Sequence, residues 1–107
     1  MEYFGETVKL TKVLNDARLR VKKFGSDHSK RIGQRLSEFE SASTLDDISR
    51  LPPARLHPLH GNYDNHFAVD VGPNWRMIIE GYDRFDELTT KPADAVTIVI
   101  VKIEDYH

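Results

Sequence analysis

The stretch Val96-Thr-Ile-Val-Ile-Val-Lys-Ile-Glu-Asp-Tyr-His107 decides the fold. Its run of β-branched residues predicts a strand buried on both faces, which places it at the centre of a sheet. The strand runs out into Asp105, Tyr106 and His107, three side chains able to donate, accept or move protons. An end anchored by a central strand is held in place where a free end would fray. These three residues form a candidate active-site edge.

Upstream, residues 82–95 are polar, charged and interrupted by Pro92, which predicts a long mobile connection. Before it, Trp75-Arg-Met-Ile-Ile-Glu80 and His66-Phe-Ala-Val-Asp-Val71 read as strands joined by the turn Gly72-Pro-Asn74. Arg55-Leu-His-Pro-Leu59 is a short strand that Pro58 confines to an edge or an end, and Gly61-Asn-Tyr-Asp-Asn65 is turn chemistry. Residues 2–4 are too short a run to assign.

The first half of the chain is helical. From residue 7 to 24 the apolar positions Leu10, Val13, Leu14, Ala17, Val21 and Phe24 fall on one helical face, and Gly25 closes the helix behind Lys22 and Lys23. Residues 27–42 repeat the pattern with Ile32, Leu36 and Phe39, capped by Ser26 or Asp27 and weakened by Gly33. A third helical turn starts at Thr44 and runs to about Arg50, where Pro52 and Pro53 stop it. Two helices cannot bury their apolar stripes against each other alone. The fold expected is therefore α+β in two layers, an N-terminal helical hairpin packed on a small, mostly antiparallel twisted sheet, in one domain over residues 1–107.

Composition narrows the function classes. There are no cysteines, so disulfides and thiolate zinc sites are excluded. No apolar run is long enough to cross a bilayer, and Met1-Glu-Tyr-Phe-Gly-Glu6 lacks the regions of a signal peptide, so no membrane partner and a cytoplasmic location are expected. Net charge is −2, unevenly spread: residues 1–60 hold 11 Lys/Arg against 8 Asp/Glu, and residues 61–107 hold 4 against 9. The basic half is the better candidate for a phosphate-facing surface.

The ionisable residues that stand out are His57, His60, His66, Arg76, Asp105, Tyr106 and His107. No nucleophile elbow and no Gly-rich phosphate loop precedes a helix. His57 and His60 lack a second pair at zinc spacing, so no metal and no cofactor are expected, and His66 reads as a solvated surface residue. Arg76 lies in an otherwise apolar strand, where it either snorkels to solvent or points into a pocket able to grip phosphate or carboxylate. Tyr63, Phe67, Trp75, Tyr82 and Tyr106 are aromatic surfaces on which bases could stack.

Two helices followed by Leu51-Pro-Pro-Ala-Arg-Leu-His-Pro-Leu-His-Gly-Asn62, Phe67-Ala-Val-Asp-Val71, Asn74-Trp-Arg-Met-Ile-Ile-Glu80 and a closing Ile103-Glu-Asp-Tyr-His107 resemble the HigB branch of the RelE/ParE toxin superfamily. These proteins, also called plasmid maintenance system killer proteins, are the toxins of type II toxin–antitoxin modules. The resemblance spans nearly the whole chain and includes Lys22-Lys-Phe-Gly25 and Leu45-Asp-Asp-Ile48. It implies an endoribonuclease that enters the ribosomal A site, cuts messenger RNA and inhibits translation. It also implies neutralisation by a cognate HigA-like helix-turn-helix antitoxin. Catalytic roles would fall to His57, Arg76, Asp105, Tyr106 and His107, and RNA binding to His60, Lys22, Lys23 and Arg55.

Metal-independent RNA cleavage uses the substrate's 2′-hydroxyl as nucleophile, so a protein must take that proton, neutralise the phosphorane and protonate the leaving oxygen. His57 or His107 suits either proton transfer, Arg76 the charge, Asp105 the orientation of a histidine or a base edge, and Tyr106 stacking or proton transfer. The chain departs from the family pattern at His60, where a lysine is usual, and at Asn62-Tyr63, where Asp-Arg is common. Two alternatives follow: a catalytically weakened homologue, or a ParE-like toxin that acts by binding DNA gyrase.

Overall fold

Residues 7–24 form two helices where the apolar periodicity predicts one. In the computed structural model, which describes residues 1–106, α1 (Val8–Leu14) starts at Thr7, whose hydroxyl accepts the Leu10 N–H at 3.0 Å. The chain restarts as α2 (Ala17–Phe24) because the Asp16 carboxylate accepts the N–H groups of Arg18 at 2.9 Å and Leu19 at 3.4 Å. A capping aspartate competes with helix continuation, and α2 buries no residue: Ala17 and Val21, expected on the core face, are exposed. α3 (Ser26–Ser41) begins at Gly25, with φ +85°, and has no side-chain cap. Ser26 and Asp27, expected as caps, lie inside its first turn instead. The helical layer thus has three helices, with α2 and α3 as the arms of the expected hairpin. The turn after Thr44 is a short 3-10 helix, Leu45–Asp47, closed by a Thr44–Asp47 capping box and ending before Arg50.

The sheet comprises β1 (Glu2–Gly5), β2 (His57–Pro58), β3 (Phe67–Asp70), β4 (Trp75–Tyr82), β5 (Leu88–Thr89) and β6 (Thr97–Asp105). Its order is β1-β6-β4-β3-β2, with β5 paired to the end of β4. All pairings are antiparallel except β1 with β6, so residues 2–4 do join the sheet. β6 is an inner strand but not the middle one, which is β4. On β6 only Ile98 and Ile100 are buried, so the expectation of burial on both faces is corrected. Residues 82–95 are likewise no structureless connection. They carry β5 and the 3-10 turn Pro92–Asp94, and buried Ala95 accepts the Leu45 N–H at 3.0 Å.

One face of the sheet packs on the helices. Phe39, Ile32, Leu36 and Leu14 meet Val69, Met77, Ile79, Ile98 and Ile100 in a single apolar core. Each such side chain is worth about 1.5–3 kcal/mol relative to exposure. The other face carries Arg76, Ile78 and Glu80, and a bulge decides what stands beside them. Ile79 pairs with Ile100 but Ile78 pairs with Lys102, so Val101 is an extra residue on β6. The extra residue switches the alternation: Ile103 joins Met77 on the core side, and Lys102 and Glu104 emerge beside Ile78 and Arg76.

Candidate active-site face

The register of three strands places Asp70, Arg76 and Glu104 in one row across the open face. The next row is His57, Ala68, Ile78 and Lys102 across four strands. Ala68 and Ile78 are fully buried and form the floor. The arginine of β4 therefore projects onto the sheet's outer face and into a cluster of charged and aromatic side chains.

Glu104 holds Arg76 in place. Its Oε2 accepts Arg76 Nε at 3.1 Å and Nη2 at 2.9 Å, and its Oε1 lies 3.4 Å from Lys102 Nζ. Arg76 and Glu104 are each 19% exposed at the side chain, so neither is fully desolvated. The guanidinium carbon lies 5.1 Å from the Tyr106 ring centroid and 5.7 Å from that of Tyr63. Two aromatic rings thus lie within cation–π reach of a fixed cation, whose Nη1 has no hydrogen bond among the described residues.

Arg55 reaches the same cluster from the segment before β2. Its Nε donates to Asp70 Oδ2 at 2.8 Å, and its Nη2 donates to Asp70 Oδ1 at 3.1 Å and to the Tyr106 hydroxyl at 3.4 Å. The hydrogen bond to Asp70 is the main cause that raises the Arg55 pKa above arginine's ordinary value, so its charge is constant at any working pH. His57 is tied to the same residue, with Nδ1 2.7 Å from the Arg55 carbonyl. A carbonyl only accepts, so Nδ1 carries the proton and, in the neutral ring, Nε2 presents its lone pair. That is the tautomer of a general base.

Of the nine residues expected at the site, the structure gathers Arg55, His57, Arg76 and Tyr106 on one face. Tyr106 is positioned by its own N–H, which donates to the Asn74 carbonyl at 3.0 Å. Asp105 pairs with Trp75 in register, so alternation directs it to the helix-facing side, opposite to Arg76. His60 lies at the start of the 3-10 turn Gly61–Tyr63 and lines a separate hollow with Leu59, Asp64 and His66. Lys22 is exposed on α2. Lys23 lines a different hollow, with Val101, Lys102 and Ile103 of β6. His107, expected as a catalytic histidine, lies outside the described residues.

Sequence reading missed Asp70, Glu104 and Lys102, and gave Tyr63 only as one stacking candidate among several. It also set His66 aside, whereas His66 Nε2 lies 3.6 Å from Glu80 Oε2 and its ring stands edge-on to Tyr63 at 5.7 Å. Glu80 also accepts the Tyr82 hydroxyl at 3.3 Å, and burial, reinforced by Glu80, raises the Tyr82 pKa and keeps that phenol a neutral donor. The face is thus an open, mixed-charge platform with aromatic rings beside its central arginine.

No family model matches the chain, and no curated protein matches it in sequence. The fold has a solved counterpart in the YoeB-YefM complex from Staphylococcus aureus. That alignment has a TM-score of 0.56 and 11% identity, and it covers 100% of this chain and 97% of the other. The whole domain, including the sheet that carries Arg76, follows that architecture.

Proposed function

We propose that this chain is the toxin of a type II toxin–antitoxin module and that it cuts messenger RNA on the ribosome through the face around Arg76. The observation that carries the reading is the placement of Arg76. It is a fixed guanidinium between the rings of Tyr63 and Tyr106, with Arg55 and a base-competent His57 on the same face. Aromatic rings take unstacked bases of single-stranded RNA, and a guanidinium between them meets the phosphate that joins those bases. The HigB-like sequence pattern and a fold shared with a solved complex of two proteins, YoeB and YefM, support the same reading.

The chemistry balances without a cofactor. His57 Nε2 takes the proton of the substrate's 2′-hydroxyl as that oxygen attacks phosphorus. Arg76 Nη1 stabilises the charge gathered on the phosphorane. The bond from phosphorus to the 5′-oxygen breaks, a second proton donor, for which we assign His107, protonates that oxygen, and a 2′,3′-cyclic phosphate and a 5′-hydroxyl result. Tyr106 and Tyr63 hold the flanking bases, and Arg55 fixes Tyr106 through its hydroxyl. The site of action is then the ribosomal A site in the cytoplasm, and the neutralising partner is a HigA-like antitoxin.

Glu104 favours the weakened homologue as the second reading, since it occupies two nitrogens of Arg76. Induction of the chain without antitoxin separates the cases. Growth arrest with message cut at discrete codons, relieved by His107→Ala or His57→Ala in folded protein, is the expected result. Arrest with intact message and damaged DNA would support gyrase as the target. Harmless wild-type protein with message intact would remove both toxin readings.

A further inference from the structure

The helical layer carries an arginine that the Arg76 face does not use. Arg35, on α3, is 3% exposed. Arginine stays charged, and a buried guanidinium is costly unless its nitrogens are paired. Here the pairing is incomplete. Nε lies 3.1 Å from Glu38 Oε1, within ion-pair distance, but the angle makes no hydrogen bond and Nε is shut off from solvent without a partner. The Glu38 side chain is 41% exposed, so water screens much of its charge.

Arg35 lines two adjoining hollows. One, of about 300 Å³, lies between α3 and the β3–β4 turn and is lined by Arg31, Gln34, Asp70, Gly72 and Pro73. The other is a shallow groove that adds Arg20, Lys30, Gly33, Ser37 and the carboxylate of Glu38. Asp70, the carboxylate of the first hollow, is already engaged by two hydrogen bonds from Arg55. Both cations pass close to a glycine. A Cβ on Gly72 would stand 3.2 Å from Arg31 Cδ, a tight approach, whereas one on Gly33 would stand 3.4 Å from Arg20 Nη2, an ordinary contact. Arg20 thus lies against α3, and three guanidinium groups line one side of that helix.

We propose that this groove is a second phosphate-binding track, which holds backbone phosphodiesters of an RNA strand beyond the cleavage face. The assignment deepens the ribonuclease reading and rests on it. Arg35 supplies a buried positive charge that only the half-exposed Glu38 offsets, and Arg31 and Arg20 extend the positive charge along the groove. Asp70 joins this groove to the other face, since it lines the first hollow and is clamped by the arginine that contacts Tyr106. Guanidinium groups strung along an open groove suit a polymer of regularly spaced negative charge, and Arg20 would meet it with its remaining donors, since its Nη1 already donates to the Leu14 carbonyl.

The test follows the Arg Nε–H NMR signals of the full chain during titration with a short 2′-O-methyl RNA, with inorganic phosphate and with a glutamate-rich peptide. The modified RNA has no free 2′-hydroxyl and stays uncut. The RNA is expected to shift the Arg35 and Arg31 signals in wild type and in Arg76→Ala alike. Arg31→Gln, a change at an exposed position, is expected to weaken RNA binding about tenfold and to lower the salt-dependence slope by about 0.7. Arg35→Lys should weaken it while keeping the charge. Unmoved Arg35 and Arg31 signals, or Arg31→Gln binding with wild-type affinity and slope, would overturn the track. So would inorganic phosphate binding as tightly as RNA, or the peptide shifting these signals where RNA does not. Cleaved message with silent Arg31 and Arg35 removes this inference alone, whereas shifted signals with no cleavage on ribosomes remove the nuclease reading and keep the track.

Discussion

Arg55 concentrates the residue-scale argument. It adopts φ +51°, a left-handed backbone that costs a non-glycine residue roughly 1–2 kcal/mol. The conformation is held by the two hydrogen bonds to Asp70 and by the Arg55 N–H donating to the Leu51 carbonyl at 3.0 Å. It turns the guanidinium towards Tyr106 and the carbonyl towards His57, so one residue sets both a stacking ring and the tautomer of a base. Asp70→Asn is expected to change stability by no more than about 1 kcal/mol, since the Arg55 side chain is 40% exposed and Asp70 20%. Cleavage should fall about tenfold or more as Arg55 and Tyr106 lose their fixed positions. Denaturant unfolding beside a cleavage assay checks the split. A loss of stability as large as the loss of activity would mean that the pair only supports the fold.

At the scale of elements, the bulge in β6 explains both what could be read from sequence and what could not. His57, Arg76 and Tyr106 were legible because polar, proton-carrying or charged groups interrupt or close otherwise apolar strands and stand in a recognisable order. Glu104 and Lys102 were not, because strict alternation from Ile98 and Ile100 would carry Lys102 and Glu104 to the core side. Only the extra residue Val101 reverses them, and bulges leave no reliable mark in a run of valines and isoleucines. Asp70 was hidden for a related reason: its partner lies on a loop whose path depends on tertiary contacts. The helix break at Asn15–Asp16 escaped because Ala17 and Val21 continue the apolar spacing in sequence although both are exposed in α2. The junction of β1 with α1 is tightly packed. A Cβ on Gly5 would stand 2.7 Å from the Thr11 nitrogen and 2.9 Å from the Leu10 carbonyl carbon, both backbone atoms. Gly5→Ala should therefore destabilise by about 1–3 kcal/mol through forced separation of β1 from α1. A thermal or denaturant midpoint equal to wild type would contradict that packing.

The whole molecule presents two distinct charged surfaces. The core lies between the helices and the sheet, the sheet's outer face carries Arg76, and the helical side carries the Arg35 groove. The excess of positive charge in residues 1–60 becomes intelligible in this arrangement. Arg20, Lys30, Arg31 and Arg35 flank the groove and Arg55 joins the outer face, whereas the acidic second half supplies Asp70 and Glu104 to hold the arginines in place. The central claim is that Arg76 on the outer face acts on the phosphate of messenger RNA during translation. Primer extension on a message incubated in a purified translation system tests it most directly. Wild-type protein should produce discrete cuts within the coding region only while ribosomes translate. Arg76→Ala, with an unchanged unfolding midpoint, should lower the cutting rate by about 10²–10³. Message left whole by the wild type, or cut equally well by folded Arg76→Ala, would contradict the account.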